Sequence, residues 1–149
     1  MHSILRTLLV LVLLAAAGFA TYAPRVPEWR KKAEAGDAAS QELMGECYAD
    51  DASSDGIPLD YAEAVKWYRL AADQGYAKAQ YNLGGMYDNG EGVPKDLVQA
   101  HIWWNIAGAN RHEGAKKNLG IIEKRMTSEQ KAEAMKLARE LFAKLPKGE

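Results

Sequence analysis

Two stretches decide the fold: DYAEAVKWYRLAADQGYAKA, residues 60–79, and DLVQAHIWWNIAGANRHEGA, residues 96–115. Asp60, Ala64, Trp67, Ala71 and Ala79 return 36 residues later as Asp96, Ala100, Trp103, Ala107 and Ala115. The preceding sequence returns too. SQELMGECY, ending at Tyr48, reappears as AQYNLGGMY, ending at Tyr87, at an offset of 39 because the earlier copy carries three extra residues around Asp51–Asp55. A partial third copy (Lys116, Asn118, Leu119, Gly120) follows Gln80, Asn82, Leu83 and Gly84 by 36. A period in the mid-thirties marks a stacked array in which each unit buries its apolar face against its neighbours. The expected fold is all-α, an α/α superhelix (solenoid) of helix-turn-helix repeats with a C-terminal capping helix.

The copy from Ala77 to Ala109 shows how one unit works. Gln80, Leu83, Gly84 and Tyr87 share one face of a first helix, helix A, expected over about 77–88. Gly84 in mid-helix costs ~1 kcal/mol relative to Ala. A helix tolerates that where another helix passes too close for a Cβ, and Gly45 and Gly120 take the same place in the other copies. In the loop DNGEGVPKD, Gly90 or Gly92 supplies the left-handed residue that ends the helix. Val93 pins the loop to the core, and Asp96 caps helix B with Gln99 three residues on, as Asp60 and Glu63 do in the first copy. Helix B carries Ala100, Trp103, Trp104 and Ala107. The Trp103 indole is expected to fill the space the alanines leave, a core role and not a sugar-binding stripe.

The ends are specialised. Trp29, Ala33 and Gly36 match Tyr68, Ala72 and Gly75 at an offset of 39, which reads as a truncated leading helix B. Thr127 with Gln130 forms a capping box for a final helix. Its apolar stripe is expected at Met135, Ala138, Leu141 or Phe142, and Leu145.

The chain of 149 residues holds one folded domain. Residues 1–20 read as a signal peptide: His2 and Arg6 precede the apolar run Leu8–Ala17, and Gly18-Phe19-Ala20 fits cleavage after Ala20. The alternative is a retained membrane anchor over residues 1–23, whose 16 uncharged residues from Leu8 to Ala23 fall short of the ~20 that span a bilayer. Residues 21–27 form a linker, 28–126 the repeats (units about 37–74 and 76–110, partial 113–126), and 127–149 the capping helix and tail. The expected location is exported, periplasmic or secreted.

These residues closely resemble the Sel-one-like (SLR) repeat, a relative of the tetratricopeptide repeat, over about residues 28–126. The resemblance rests on Leu83, Gly84, Tyr87, Gly90, Gly92, Val93, Asp96, Ala100, Trp103, Ala107 and Ala115. In the third copy Glu123 stands where Tyr is usual. The resemblance implies a bacterial envelope adaptor that binds a protein or peptide. Some secreted, cysteine-rich members are linked to β-lactam binding or hydrolysis and staple each helix pair with a disulfide. Cys47 is the single cysteine here, so that subgroup matches poorly.

Partner contacts are expected along the concave, helix A side: Glu42, Glu46 and Asp50 from the first unit, Lys78, Tyr81, Asp88 and Asn89 from the second, and Lys117, Lys124 and Arg125 from the third. On that reading the groove runs from acidic through a tyrosine to basic and suits an extended peptide of complementary polarity. The wider charge distribution agrees in sign: residues 21–110 hold 8 Lys/Arg against 14 Asp/Glu, and residues 111–149 hold 10 against 6.

Little points to chemistry. His101 and His112 form no ligand pair at helical spacing, and His101 reads as a surface residue on a helix flank. Asp50, Asp51, Ser53 and Ser54 do not match a calcium loop, and no nucleophile elbow, phosphate loop or zincin motif is present. No catalytic residue, metal or cofactor is expected, and the net charge of −1 without a basic aromatic run sets nucleic acid aside. The competing readings are a cell-wall or β-lactam-interacting hydrolase and a membrane-anchored accessory subunit of an envelope complex.

Overall fold

The computed structural model describes residues 28–50 and 57–146. The signal or anchor segment, most of the 49–56 loop and the last three residues lie outside them. Seven α-helices follow in order: α1 Glu28–Glu34, α2 Ala38–Ala49, α3 Tyr61–Ala72, α4 Ala77–Asn89, α5 Leu97–Ala109, α6 Glu113–Ile122 and α7 Ser128–Phe142. A 3-10 turn, Glu123–Arg125, joins the last two. Each helix from α1 to α5 packs on the next, and α7 packs on α5. This is a solenoid of helix-turn-helix units with a capping helix.

Two first helices, α2 and α4, pair with two second helices, α3 and α5, through a seam of small residues. Ala64, Ala71, Ala79, Leu83, Ala100, Ala107 and Ala115 are fully buried. Asp60 and Asp96 cap α3 and α5, each side chain accepting the amide N–H three residues on. The backbone N–H of each cap donates to the tyrosine carbonyl ending the preceding helix A, Asp60 to Tyr48 at 2.8 Å and Asp96 to Tyr87 at 2.9 Å. Both loops therefore close on the same bond despite their different lengths. Gly90 ends α4 in the left-handed region, and Gly92 is left-handed as well, with φ of 77° and 69°. A Cβ on Gly92 would collide with the Tyr61 carbonyl, so the loop of one unit rests on the helix B of the previous one. Val93 is half-buried against the core, as the pinning role requires.

The close approach at the helix A glycines has a different cause from the one expected. Gly84 lies under the Trp104 ring, 2.6 Å from where its Cβ would stand, and Gly45 lies under the Tyr68 ring. An aromatic face, not a helix backbone, occupies the space. The Trp104 indole N–H donates to the Tyr81 carbonyl at 3.0 Å and holds the ring there. Trp103 is buried on the other side of α5, while its counterpart Trp67 is only half-buried. Gly120 departs from the expectation, since nothing lies within 4 Å of its Cβ position. No helix B follows α6, because the chain turns at Glu123–Arg125 and lays α7 on α5.

The cap of α7 forms as expected, with Thr127 and Gln130 exchanging bonds in a capping box. Its buried stripe keeps the expected Ala138, Leu141, Phe142 and Leu145 but takes in Ala134 and Leu137 and leaves out Met135. Ala134 and Ala138 are buried, Leu137, Leu141 and Phe142 are half-buried, and Met135 is exposed at 44%. The residues one helical turn apart that face α5 are 134, 137, 138 and 141, which puts Met135 on the outside.

A polar ladder also repeats. Gln41 donates from Nε2 to the Ala33 carbonyl, and Gln80 donates to the Ala72 carbonyl at 3.0 Å. Their Oε1 atoms accept from Gln74 Nε2 at 2.7 Å and from Asn110 Nδ2 at 2.9 Å. Each buried glutamine thus joins the helix B before it to the loop after the next helix B. At the third position, Lys116 is exposed and pairs with Glu113 instead.

Candidate functional site

Side chains from α2, α4, α6 and the 3-10 turn meet along one face, the helix A face. Lys78 of α4 reaches back to α2, with Nζ 3.1 Å from Glu42 Oε1 and 2.8 Å from Glu46 Oε1. Asn82, one turn on, donates to Glu42 at 3.0 Å. Arg125 reaches from the 3-10 turn to Asp88 at 2.8 Å. Tyr81 stacks on His112 with ring centroids 4.4 Å apart. His112 caps α6 by accepting the Ala115 N–H at Nδ1.

These contacts correct the expected polarity of the groove. Glu42 is not an exposed groove residue, with 2% of its surface accessible. Burial lifts its carboxyl to about 7, an effect that the neighbouring Glu46 reinforces and Lys78 opposes. Its partners Glu46 and Asn82 are half-buried, and Lys78 is exposed but held between the two carboxylates. Asp88 and Arg125 neutralise each other across the next junction. Of the predicted gradient, Glu42, Glu46, Lys78, Asp88 and Arg125 are therefore ion-paired across unit boundaries and serve first as seams. The Lys78 ammonium, between two acceptors, is held above its ordinary value.

Of the other expected residues, Asn89, Asp50, Lys117 and Lys124 are exposed and Tyr81 is half-buried. Leu43 and Ile121 of the first and third helices A are exposed at 42% and 50%, adding apolar surface. Between α4 and α6 lies an open hollow of about 160 Å³, lined by Tyr81, Asn82, Gly85, Met86, Glu91 and Asn118 among others. Asn82 and Asn118 occupy one repeat position, 36 residues apart. That recurrence was visible in the sequence, but the groove assignment took the neighbouring positions and passed over it. Nothing lies within 4 Å of a Cβ on Gly85, so the floor of the hollow is open there.

His101 is a second correction. It is fully buried on α5, with Nε2 3.2 Å from Glu123 Oε1 and no hydrogen-bond partner for Nδ1. Its repeat counterpart, Val65, is buried as well, so the alignment carried the signal that a flank reading missed. The pair ties the 3-10 turn to α5 where the chain leaves the repeat. Among the described residues, no group of three or more His, Cys, Asp or Glu is placed to hold a metal ion.

The Sel1 repeat pattern matches residues 38–76 and 77–112. Among solved structures, the chain resembles c5321, described as a protective antigen present in uropathogenic Escherichia coli strains displaying an SLR fold. The identity is 34% and the TM-score 0.73, over 78% of this chain and 25% of that one. It also resembles a Sel1 repeat protein from Oxalobacter formigenes, at 39% identity and a TM-score of 0.58, over 62% of this chain and 67% of that one. The chain thus spans about a quarter of the length of the first relative. No curated protein matches it.

Proposed function

This chain belongs to the Sel1 repeat family, a non-catalytic scaffold typical of protein–protein interaction modules, and from that premise we propose that it is an exported adaptor of the bacterial envelope that takes a peptide segment of its partner along the helix A face. The observation that carries this reading is the open hollow lined mainly by α4 with Asn118 of α6, on helices A that also expose Leu43 and Ile121. Residues 1–20 act as a cleaved signal on this reading, and residues 28–126 form the binding unit. Asn89, Lys117 and Lys124 make the outer contacts, while Glu42, Glu46, Lys78, Asp88 and Arg125 keep neighbouring units in register. Tyr81 contributes its ring to the floor.

Affinity capture tests it. A C-terminally tagged chain is recovered from gently solubilised envelope of its own organism, and co-purifying proteins are identified by mass spectrometry. Gly85→Leu places a side chain in the hollow, and its Cβ has open space of 4 Å around it. One stoichiometric protein, retained by the wild type and lost from this variant, is the expected outcome. Equal retention by both overturns the assignment of the face. A mature N-terminus at Thr21 is expected, and a retained Met1 would overturn cleavage in favour of the anchor.

A further inference from the structure

Two cations of the helix A face are already spent. Lys78 is held by Glu42 and Glu46, and Arg125 by Asp88. No lysine or arginine lines the hollow, and Lys117 and Lys124 stand outside it. What faces it are one carboxylate, carboxamides and the side chains of Tyr68 and Tyr81. Glu91 presents a carboxylate, tethered on one side by Asn89 Nδ2 at 3.3 Å. Asn82 turns its Nδ2 on Glu42, which leaves its carboxamide oxygen as the group it offers. Asn118 brings a second carboxamide from α6, and Met86 and Tyr81 supply apolar surface, with Tyr81 fixed by its stack on His112.

We propose that this hollow is a socket for a cationic side chain, an arginine of the partner's peptide, with its stem against Met86 and Tyr81 and its guanidinium among Glu91, Asn82 and Asn118. The assignment rests on the reading that the helix A face is the binding face. Charge complementarity carries it: Glu91 is the one charged side chain among the residues that line the hollow, and no cation stands beside it there. Arginine fits better than lysine for three reasons. The acceptors are spread around the rim and not gathered at one point. A planar guanidinium has five donors in fixed directions, stacks on an aromatic ring, and gives up its hydration more easily than an ammonium. The hollow, at about 160 Å³, also exceeds what a bare ammonium fills.

The test uses N-acetyl-arginine-N-methylamide as the probe, titrated into isotope-labelled protein and followed by nuclear magnetic resonance. The side-chain amide signals of Asn82, Asn89 and Asn118 should shift together. Binding should weaken at least fivefold in Glu91→Gln and vanish in Gly85→Leu, with both variants keeping their thermal midpoint. Equal shifts from the norleucine or glutamate analogue, or arginine binding untouched by either variant, would overturn the socket. Partner capture separates this inference from the functional reading beneath it. A partner lost from Gly85→Leu but fully kept by Glu91→Gln leaves the face standing and removes the arginine. A partner kept by both removes the face as well.

Discussion

At the scale of single residues, one glycine position has two opposite meanings. Gly84 sits beneath Trp104, whose ring is itself held by the Tyr81 carbonyl. Gly84→Ala must push that ring off its bond, and about 1–3 kcal/mol of destabilisation is expected from such overpacking. Gly120 occupies the same repeat position with open space above it. Gly120→Ala should instead gain up to about 1 kcal/mol from helix propensity alone. Urea unfolding of the two variants measures both, and a matching sign would contradict the claim that α6 lacks a covering helix B. The recurrence of these glycines was legible in the sequence. The different environment of Gly120 was not, because it depends on where α7 goes, and α7 carries no repeat pattern.

Glu42 adds a pH dependence at the same scale. Its carboxyl is raised from 4.5 to about 7, so the folded state holds the proton more tightly than the unfolded chain. The stability this contributes is complete below about pH 4.5 and is lost as pH rises through about 7. The wild-type thermal midpoint should therefore fall between pH 5 and pH 8 by more than that of Glu42→Gln, which cannot ionise. Parallel curves for the two would show that Glu42 is not the group responsible. No sequence pattern marked this residue as buried: α2 is weakly patterned, and its acidic side chain reads as solvated until Lys78 and Asn82 are seen to cover it.

At the scale of elements, the glutamine ladder is the feature that joins units. Gln80 is fully buried, and removing its amide takes one bond from the Ala72 carbonyl and the shorter of two from the Asn110 amide. Gln80→Ala should cost about 1–3 kcal/mol. A double-mutant cycle with Asn110→Ala should return a coupling energy of at least about 0.5 kcal/mol, as expected for groups in direct contact. Strict additivity would mean that the two amides act independently. The helices, caps and loop glycines were readable because each rests on local rules: a capping aspartate, a left-handed glycine and a three-to-four residue spacing. In the stripe of α7 only Met135 was misplaced, because Met135 and Leu137 are both apolar and packing against the core chooses between them.

At the scale of the whole molecule, the array is short and its charges are organised to hold it together. The unit boundary between α2 and α4 is bridged by Lys78 and Asn82, and the one between α4 and the 3-10 turn by Arg125. Sequence grouped these residues on the helix A face and assigned them to a partner, because their mutual pairing depends on side chains 32 to 37 residues apart meeting across the stack. Once those pairs are formed, the helix A face still offers the hollow with Glu91 at its rim and the exposed Lys117 and Lys124 outside it. The central claim is that this face, and not the helix B side, meets the partner. Photo-crosslinking from single positions of the full chain in its own envelope tests it most directly, with the crosslinker at Gly85 or Asn118 on one side and at Leu70 or Glu140 on the other. The account predicts one defined adduct from Gly85 and Asn118 and none from Leu70 and Glu140. The same adduct from Leu70 or Glu140, with none from the hollow, would contradict it.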